Sequence, residues 1–276
     1  MQTAVHRIPG LVLTDHRFTV PVDYGDPSGR TIEVFAREAT TPTAATDLPY
    51  LLFFQGGPGF ASPRPDDPGG WLGKAMEHFR VLLLDQRGTG LSTPILPETL
   101  ARLGSAEAQA EYLTHFRADN IVRDAELIRA ELVGEDTWSV LGQSFGGLCV
   151  MAYLSIAPLA VREALITGGV PPLGGHPDDF YRTTCRRTLE RNALYYARYP
   201  ADRELVRAIT TRLARGDVEL PDGAPLTVPR FRQLGMALGM SDGFEHLHYL
   251  LETAFAAGGD ELTSPFLRQM MVEASY

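Results

Sequence analysis

Short apolar runs without polar alternation recur through the first part of the chain, and each ends at a glycine or a polar turn. They lie at residues 50–54, 81–84, 138–141 and 164–166, after a β-rich stretch at 31–35. Continuous apolar strands are typical of a sheet that is covered on both faces. Helical spacing appears between two of them, at Ile121, Ala125, Ile128 and Leu132, with Asp119 or Asn120 as the predicted N-cap. Strands that alternate with helices predict an α/β fold with a mostly parallel sheet.

The pattern changes after the turn at residues 171–175. Strand-like runs stop, and Arg-rich amphipathic patterns predict helices over 180–199, 202–215, 230–240 and 243–257, with a Pro/Gly-rich turn at 221–229. We therefore expect a sheet-containing core over residues 1–170 and a helical cap over residues 171–276. No strand pattern follows Ile166, so the late strands of the sheet are expected to be absent from this chain.

The composition argues against several classes of protein but does not indicate a substrate. The chain has 276 residues, 44% of them hydrophobic, and a net charge of −9, which argues against nucleic acid as a partner. No apolar run is long enough to span a membrane, and residues 1–20 lack the apolar core of a signal peptide. Cys149 and Cys185 are too few for a disulfide framework or a zinc site. A cytoplasmic protein without metal or cofactor is expected, and its oligomeric state is not predicted.

A candidate nucleophile lies directly after the strand at 138–141. Residues 142–146, Gly-Gln-Ser-Phe-Gly, fit the pattern Gly-x-Ser-x-Gly, and a helix is predicted over 148–157, ending before Pro158. A serine on such a strand-to-helix turn is strained and exposed at the edge of the sheet. The sequence therefore favours Ser144 as a catalytic nucleophile, and the alternative is a glycine-rich turn with an N-capping serine.

The glycine-rich segment Gln55-Gly56-Gly57-Pro58-Gly59 follows an earlier strand. An acyl-transfer serine needs N–H donors aimed at the developing oxyanion, usually from such a loop and from the residue after the nucleophile. We expect the backbone of Gly57, or next Gly56, and that of Phe145 to supply them. The alternative is a plain tight turn, and no lysine follows at the position that a phosphate-binding loop requires.

Asp85-Gln86-Arg87-Gly88-Thr89-Gly90 follows the next strand and resembles half of a dinucleotide-binding fingerprint. Thr93 stands where the third glycine would lie, so dinucleotide binding is not expected. A buried pair between Asp85 and Arg87 that braces the glycine loop is expected instead.

Taken in order, Gly-Gly-Pro-Gly, Asp-Gln-Arg-Gly and Gly-Gln-Ser-Phe-Gly-Gly resemble the proline iminopeptidase family of α/β-hydrolases. One departure is Gln55, where many relatives carry histidine. The resemblance implies an α/β-hydrolase fold with an inserted helical cap, and a serine aminopeptidase that releases N-terminal proline from small peptides through an acyl-enzyme on Ser144. It also implies that cap glutamates bind the free amino terminus. Residues 243–249 are similar to a segment that carries one of them, so Glu245 is the expected residue; the alternative is a solvated helix face.

The base and carboxylate of a catalytic triad are missing from the pattern. His176, His246 and His248 follow Ser144, and none of them follows a sheet strand. We expect the chain to end within the cap, before the triad Asp and His; an alternative uses His248 with Asp242. Two other functions stay open: a capped esterase or lactonase, and a non-catalytic fragment or interaction module.

Overall fold

The computed structural model describes residues 2–170 and 174–273, and the chain separates into two compact units, residues 1–172 and 173–276. The turn at 171–175, where the sequence pattern changes, lies partly outside the described residues, because 171–173 are among those not described. Each unit has its own helices and its own apolar core.

Within residues 2–170, seven strands form one sheet in the order β1-β2-β3-β5-β4-β6-β7. Their bounds are Gln2–Ile8 (β1), Leu11–Pro21 (β2), Thr31–Thr40 (β3), Tyr50–Phe54 (β4), Arg80–Asp85 (β5), Trp138–Gln143 (β6) and Val161–Thr167 (β7). Strands β5, β4, β6 and β7 are parallel, whereas β1, β2 and β3 form an antiparallel meander that joins the edge of β5. The α/β class is confirmed, while β1 and β2 were not expected from the sequence.

Five helices accompany this sheet in the described part of the first unit: Gly70–Met76 (α1), Pro97–Ala101 (α2), Ala106–Thr114 (α3), Ala118–Val133 (α4) and Phe145–Ile156 (α5). The predicted apolar face of α4 is buried except at Leu132, which is partly buried. The predicted cap of α4 is wrong, because the helix begins earlier, with Arg117 at the N-cap. Asn120 lies inside the first turn, and its side-chain amide donates to the carbonyl of His115 at 3.0 Å.

Strand β4 shows why the apolar runs are continuous. Leu52 and Phe54 pack into one apolar cluster, which includes α4 and α5, and Leu51 and Phe53 pack into a second cluster with α1. Both faces of this strand are therefore covered, as the sequence predicts. Cys149 of α5 lies in the first cluster, where burial raises the pKa of its thiol to about 12.

Strand β7 is different although its sequence is also apolar. It lies at the end of the strand order, pairs with β6 alone among the described strands, and exposes residues 162–165. The strand was expected at this position, but its expected coverage on both faces is wrong: Leu165 is 46% exposed.

Helices are the regular elements of the second unit over residues 174–273, where loops and two isolated β-bridges connect them. Its helices are Pro177–Arg198 (α6), Asp202–Leu213 (α7), Val228–Arg232 (α8), Gly243–Glu252 (α9) and Ser264–Glu273 (α10), and a 3-10 segment spans Gln233–Gly239. The predicted helix at 230–240 is thus split in two, and α10 was not predicted. No helix of the described ranges has the length and apolar character needed to cross a membrane.

Candidate active site

Ser144 stands on a strained turn between β6 and α5. Its backbone dihedrals are φ 54° and ψ −117°, and it is the only non-glycine residue with positive φ in the described ranges. Its N–H donates to the carbonyl of Thr167 at 2.9 Å, and its carbonyl accepts from the N–H of Gly147 at 2.8 Å. Such a conformation costs about 1–3 kcal/mol and persists only where the surroundings enforce it.

Close backbone packing supplies that enforcement and explains the glycines around the serine. A Cβ on Gly142 would lie 2.2 Å from the carbonyl oxygen of Gly146, and one on Gly146 would lie 2.0 Å from that of Phe54. A Cβ on Gly169 would lie 2.1 Å from the carbonyl oxygen of Ser144. Any side chain at these positions would push the turn away from β4 or from the loop after β7.

The side chain of Ser144 is not used to cap α5. It occupies the N-cap position but makes no capping hydrogen bond, so the N-capping alternative does not describe this structure. Helix α5 was expected to begin at residue 148 and begins at Phe145, directly after the serine. Ser144 therefore borders the first turn of a helix, where N–H groups have no partner within the helix and negative charge is favoured.

The loop after β4 lies against this serine. A Cβ on Gly56 would lie 3.0 Å from the Cβ of Ser144 and 2.4 Å from Oε1 of Gln143. Gly57 follows in the left-handed region, at φ 126°. A second backbone segment thus lies against Ser144, and the first turn of α5 leaves the N–H of Phe145, the next residue, without a helical partner.

Asp85 braces the loops around the serine, but not by pairing with Arg87. Its buried carboxylate accepts from the N–H of Ser62 at 2.9 Å and from that of Leu91 at 2.8 Å, and it forms an ion pair with Arg64. The expected Asp85–Arg87 pair is therefore wrong, because backbone N–H groups of two loops and Arg64 occupy the carboxylate.

Arg87 instead pairs with a carboxylate on α4. Its Nε donates to Oδ2 of Asp124 at 2.7 Å, and its Nη1 donates to the carbonyls of Val22 and His115 at 2.9 Å. The hydroxyl of Tyr24 donates to Oδ1 of Asp124 at 2.7 Å. A residue 37 positions further along the chain thus takes the arginine, which local sequence cannot reveal.

No histidine of the described first unit forms a hydrogen bond with Ser144. His16, His78 and His115 each face another carboxylate, those of Glu38, Glu77 and Asp23. In the second unit, His176 accepts at the start of α6, and His246 lies 3.1 Å from Glu273. The suggested pairing of His248 with Asp242 is wrong, because Nδ1 of His248 lies 2.9 Å from Oδ2 of Asp202.

Glu245 lies in the first turn of α9 with its carboxylate partly exposed. The buried face of this helix includes Phe244, Leu247 and Leu251. Oε1 of Glu245 accepts from the hydroxyl of Tyr199 at 3.2 Å and is ion-paired with Arg198. Its own backbone N–H, Arg198 and Tyr199 together hold the pKa of Glu245 below its usual range. Glu245 is thus a fixed, ionised carboxylate.

No group of three or more metal-ligating side chains with the geometry for a metal ion occurs in residues 2–170 and 174–273. The expected site residues of the first unit, Ser144, Phe145 and Gly57, lie in neighbouring turns. Glu245 belongs to the second unit. No sequence signal indicates its partner Arg198, because 47 residues separate the two.

Comparison with known proteins gives two kinds of match. A family profile described as the alpha/beta hydrolase fold matches residues 49–257. A proline iminopeptidase of Aeromonas sobria is 48% identical over 273 residues, which are 98% of this chain and 64% of that protein. Proline iminopeptidase aneH of Aspergillus aculeatus is 38% identical over 90% of this chain and 57% of that protein. The chain thus spans about three fifths of the length of these relatives.

Among solved structures, a thermophilic esterase from Thermogutta terrifontis is similar at 19% identity with a TM-score of 0.40, over 64% of this chain and 53% of that one. A likeness of this size adds nothing about function. The resemblance to proline iminopeptidases that the three sequence motifs indicate is confirmed by the relatives from Aeromonas and Aspergillus.

Proposed function

Because the chain belongs to the α/β-hydrolase family, we propose that it is a serine hydrolase that releases N-terminal proline from peptides through an acyl-enzyme on Ser144. The observation that carries the proposal is the backbone of Ser144, which is strained at φ 54° between a strand and a helix. The relatives named proline iminopeptidase support this substrate class, and the sequence resemblance implies a small peptide with a free N-terminal proline.

In the proposed reaction, Oγ of Ser144 attacks the prolyl carbonyl carbon while a base takes the hydroxyl proton. The N–H groups of Phe145 and Gly57 stabilise the oxyanion of the tetrahedral intermediate, helped by the N-terminus of α5. The amine of the next residue leaves with a proton, and water then cleaves the acyl-enzyme to release proline. We assign neither the base nor its orienting carboxylate to a described residue.

Glu245 is proposed to bind the ammonium of the N-terminal proline. A charge-assisted hydrogen bond between an ammonium and a carboxylate is stronger than one between neutral groups. The lowered pKa of Glu245 supports this role, since it keeps the carboxylate ionised at the pH of the assay. An aminopeptidase needs such a group to select a free amino terminus.

The direct test is the substitution Ser144→Ala in the intact gene product, with L-proline p-nitroanilide as substrate. We expect kcat/KM to fall by about 10,000-fold or more, because the nucleophile is removed. Ser155→Ala is the matched control on the same helix: its hydroxyl donates to the carbonyl of Met151, so turnover should persist. Undiminished turnover by the Ser144 variant would refute the proposal.

An esterase or lactonase of the same fold is the second candidate, and one observation favours it. The carboxylate of Glu245 already has a counter-ion in Arg198, as it would in a protein that binds no ammonium. Comparing L-proline p-nitroanilide with its N-acetyl form separates the two functions. An aminopeptidase should cleave only the free amine, whereas equal rates would favour the second candidate.

A non-catalytic interaction module is the third candidate, with the exposed strand β7 as its pairing edge. A fluorophosphonate probe distinguishes it from both hydrolases, because such probes react covalently only with an activated serine. Labelling of the tryptic peptide that contains Ser144 would exclude this candidate. A cytoplasmic location stays a prediction of the sequence.

A further inference from the structure

Two side chains of the second unit donate to the carboxylate of Glu245, and both engage the same one of its two oxygens. Arg198 and the hydroxyl of Tyr199 both donate to Oε1, the latter at 3.2 Å. No side chain of residues 174–273 donates to Oε2. Side-chain donors therefore fix one oxygen of the carboxylate and leave the other without a side-chain donor in the described second unit.

The two donors are themselves held in place. The guanidinium of Arg198 lies over the ring of buried Phe244, 5.3 Å from its centroid. The ring of Tyr199 stacks on the imidazole of His248, with centroids 3.9 Å apart and an interplanar angle of 10°. Neither donor can leave Oε1 without giving up a ring contact.

His248 is held in turn by contacts of both of its ring nitrogens. Its Nδ1 lies 2.9 Å and 3.1 Å from the two carboxylate oxygens of Asp202, which is buried and also accepts from the hydroxyl of Tyr195. Its Nε2 faces Glu252 at 3.3 Å. A chain of contacts therefore runs from the buried carboxylate of Asp202 through His248 to the Tyr199 ring, and ends at Oε1 of Glu245.

We propose that Arg198 and Tyr199 are positioning residues for the amino-group subsite, holding Oε1 of Glu245 so that Oε2 accepts the hydrogen bond from the substrate ammonium. This inference rests on the proposed role of Glu245. Arg198 accordingly does not compete with the substrate, since each cation has its own oxygen. A preoriented carboxylate loses less side-chain freedom when the ammonium binds, which strengthens binding.

The test uses the intact gene product and two substrates, L-proline p-nitroanilide, which carries the ammonium, and p-nitrophenyl acetate, which does not. In Arg198→Met and in Tyr199→Phe we expect KM for the proline substrate to rise about 3- to 10-fold, the size of effect that a lost charge-assisted contact near the surface produces. We expect kcat to stay within about twofold, because the reacting atoms are untouched. Kinetics with p-nitrophenyl acetate should not change.

Matched controls come from the same helix, α6. Arg187→Met removes an arginine that has no ion-pair partner among the described residues, and Tyr196→Phe removes a hydroxyl without a hydrogen bond there. Both controls should retain the wild-type KM. Arg198→Lys should restore part of the lost affinity, because an ammonium can still donate to Oε1.

Glu245→Gln separates this inference from the proposed function. A raised KM in Glu245→Gln with an unchanged KM in both positioning variants would overturn the inference alone. A lowered KM in Arg198→Met would also overturn it, because Arg198 would then be a competitor of the substrate. An unchanged KM in Glu245→Gln would remove the role of Glu245 and the inference together, and failure of the wild-type protein to cleave either substrate would refute the proposed function itself.

Discussion

Two arginine–carboxylate pairs, one in each unit, show how the same contact serves different purposes. The side chains of Arg87 and Asp124 are 0% and 1% exposed, whereas those of Arg198 and Glu245 are 56% and 39% exposed. Arg87 also donates to backbone carbonyls, so every part of it is used inside the fold. Arg198 and Glu245 keep faces open to solvent.

Burial decides what each pair can do. Separating a buried pair leaves an uncompensated charge in a poorly solvated place, so the first pair is committed to the structure. An exposed pair contributes little to stability, because water solvates either partner alone. Substitutions in the buried pair should therefore lower the free energy of unfolding. Substitutions in the exposed pair should change substrate affinity and leave stability nearly unchanged.

The largest expected effect is that of Arg87→Met. It leaves the carboxylate of Asp124 buried with only the hydroxyl of Tyr24 as donor, which should lower the free energy of unfolding by about 3–5 kcal/mol. Urea unfolding followed by tryptophan fluorescence measures the loss, since Trp138 lies in the core of the same unit. Arg198→Met is expected to leave stability unchanged, so an equally small loss in Arg87→Met would contradict the contrast between the buried and the exposed pair.

A slightly smaller effect is expected of Gly146→Ala. The new methyl would lie 2.0 Å from the carbonyl oxygen of Phe54, and overpacking of this kind costs about 1–3 kcal/mol. Gly235→Ala is the control, because a Cβ there meets no atom within 4 Å and the backbone is not left-handed. Equal unfolding midpoints for the two variants would contradict the account of the serine turn.

The buried carboxylate of Glu38 should make stability depend on pH. Burial raises its pKa, but hydrogen bonds from His16, Arg80 and Tyr50 outweigh burial and leave the pKa below the ordinary value of 4.5. A lowered pKa in the folded state means that the stabilisation is complete above about pH 4.5 and is lost as the pH falls through the folded value. The advantage of wild type over Glu38→Gln in urea unfolding should therefore shrink between pH 6 and pH 3, and an advantage that grows would contradict it.

The smallest effect on stability is expected of Arg198→Met, which should leave the unfolding midpoint unchanged. Its readout is instead the pKa of Glu245, which should rise when the guanidinium is lost, because Arg198 is one of the groups that lower it. Titration of the carboxyl carbon by NMR measures this change. Glu77, whose pKa is lowered by Lys74, is the internal control and should titrate as in the wild type.

The features predicted correctly from the sequence are those that depend on residues adjacent along the chain. The continuous apolar run of β4 and the Gly-x-Ser-x-Gly turn are written in consecutive positions, and both lie where they were expected. Strand β2 was not predicted because its buried positions alternate with partly exposed ones, as in many antiparallel strands, whereas continuous apolar runs indicated the parallel strands. The partners of Arg87 and Glu245 were missed for another reason: they lie 37 and 47 residues away, and only the folded chain brings them together.

The buried thiol of Cys149 is a natural probe of local opening of helix α5. The thiol lies in the core one turn after the serine, and its raised pKa, about 12, leaves almost no reactive thiolate while α5 stays packed. Cys185 on α6 is exposed and should react at once with a disulfide reagent. Labelling should therefore be biphasic, with a fast phase from Cys185 and a slow phase from Cys149. The rate of the slow phase would measure how often the helix that follows Ser144 opens locally, without an engineered probe. Comparing the rate of Cys149 labelling with and without a ligand would show how much that ligand suppresses local opening of the helix.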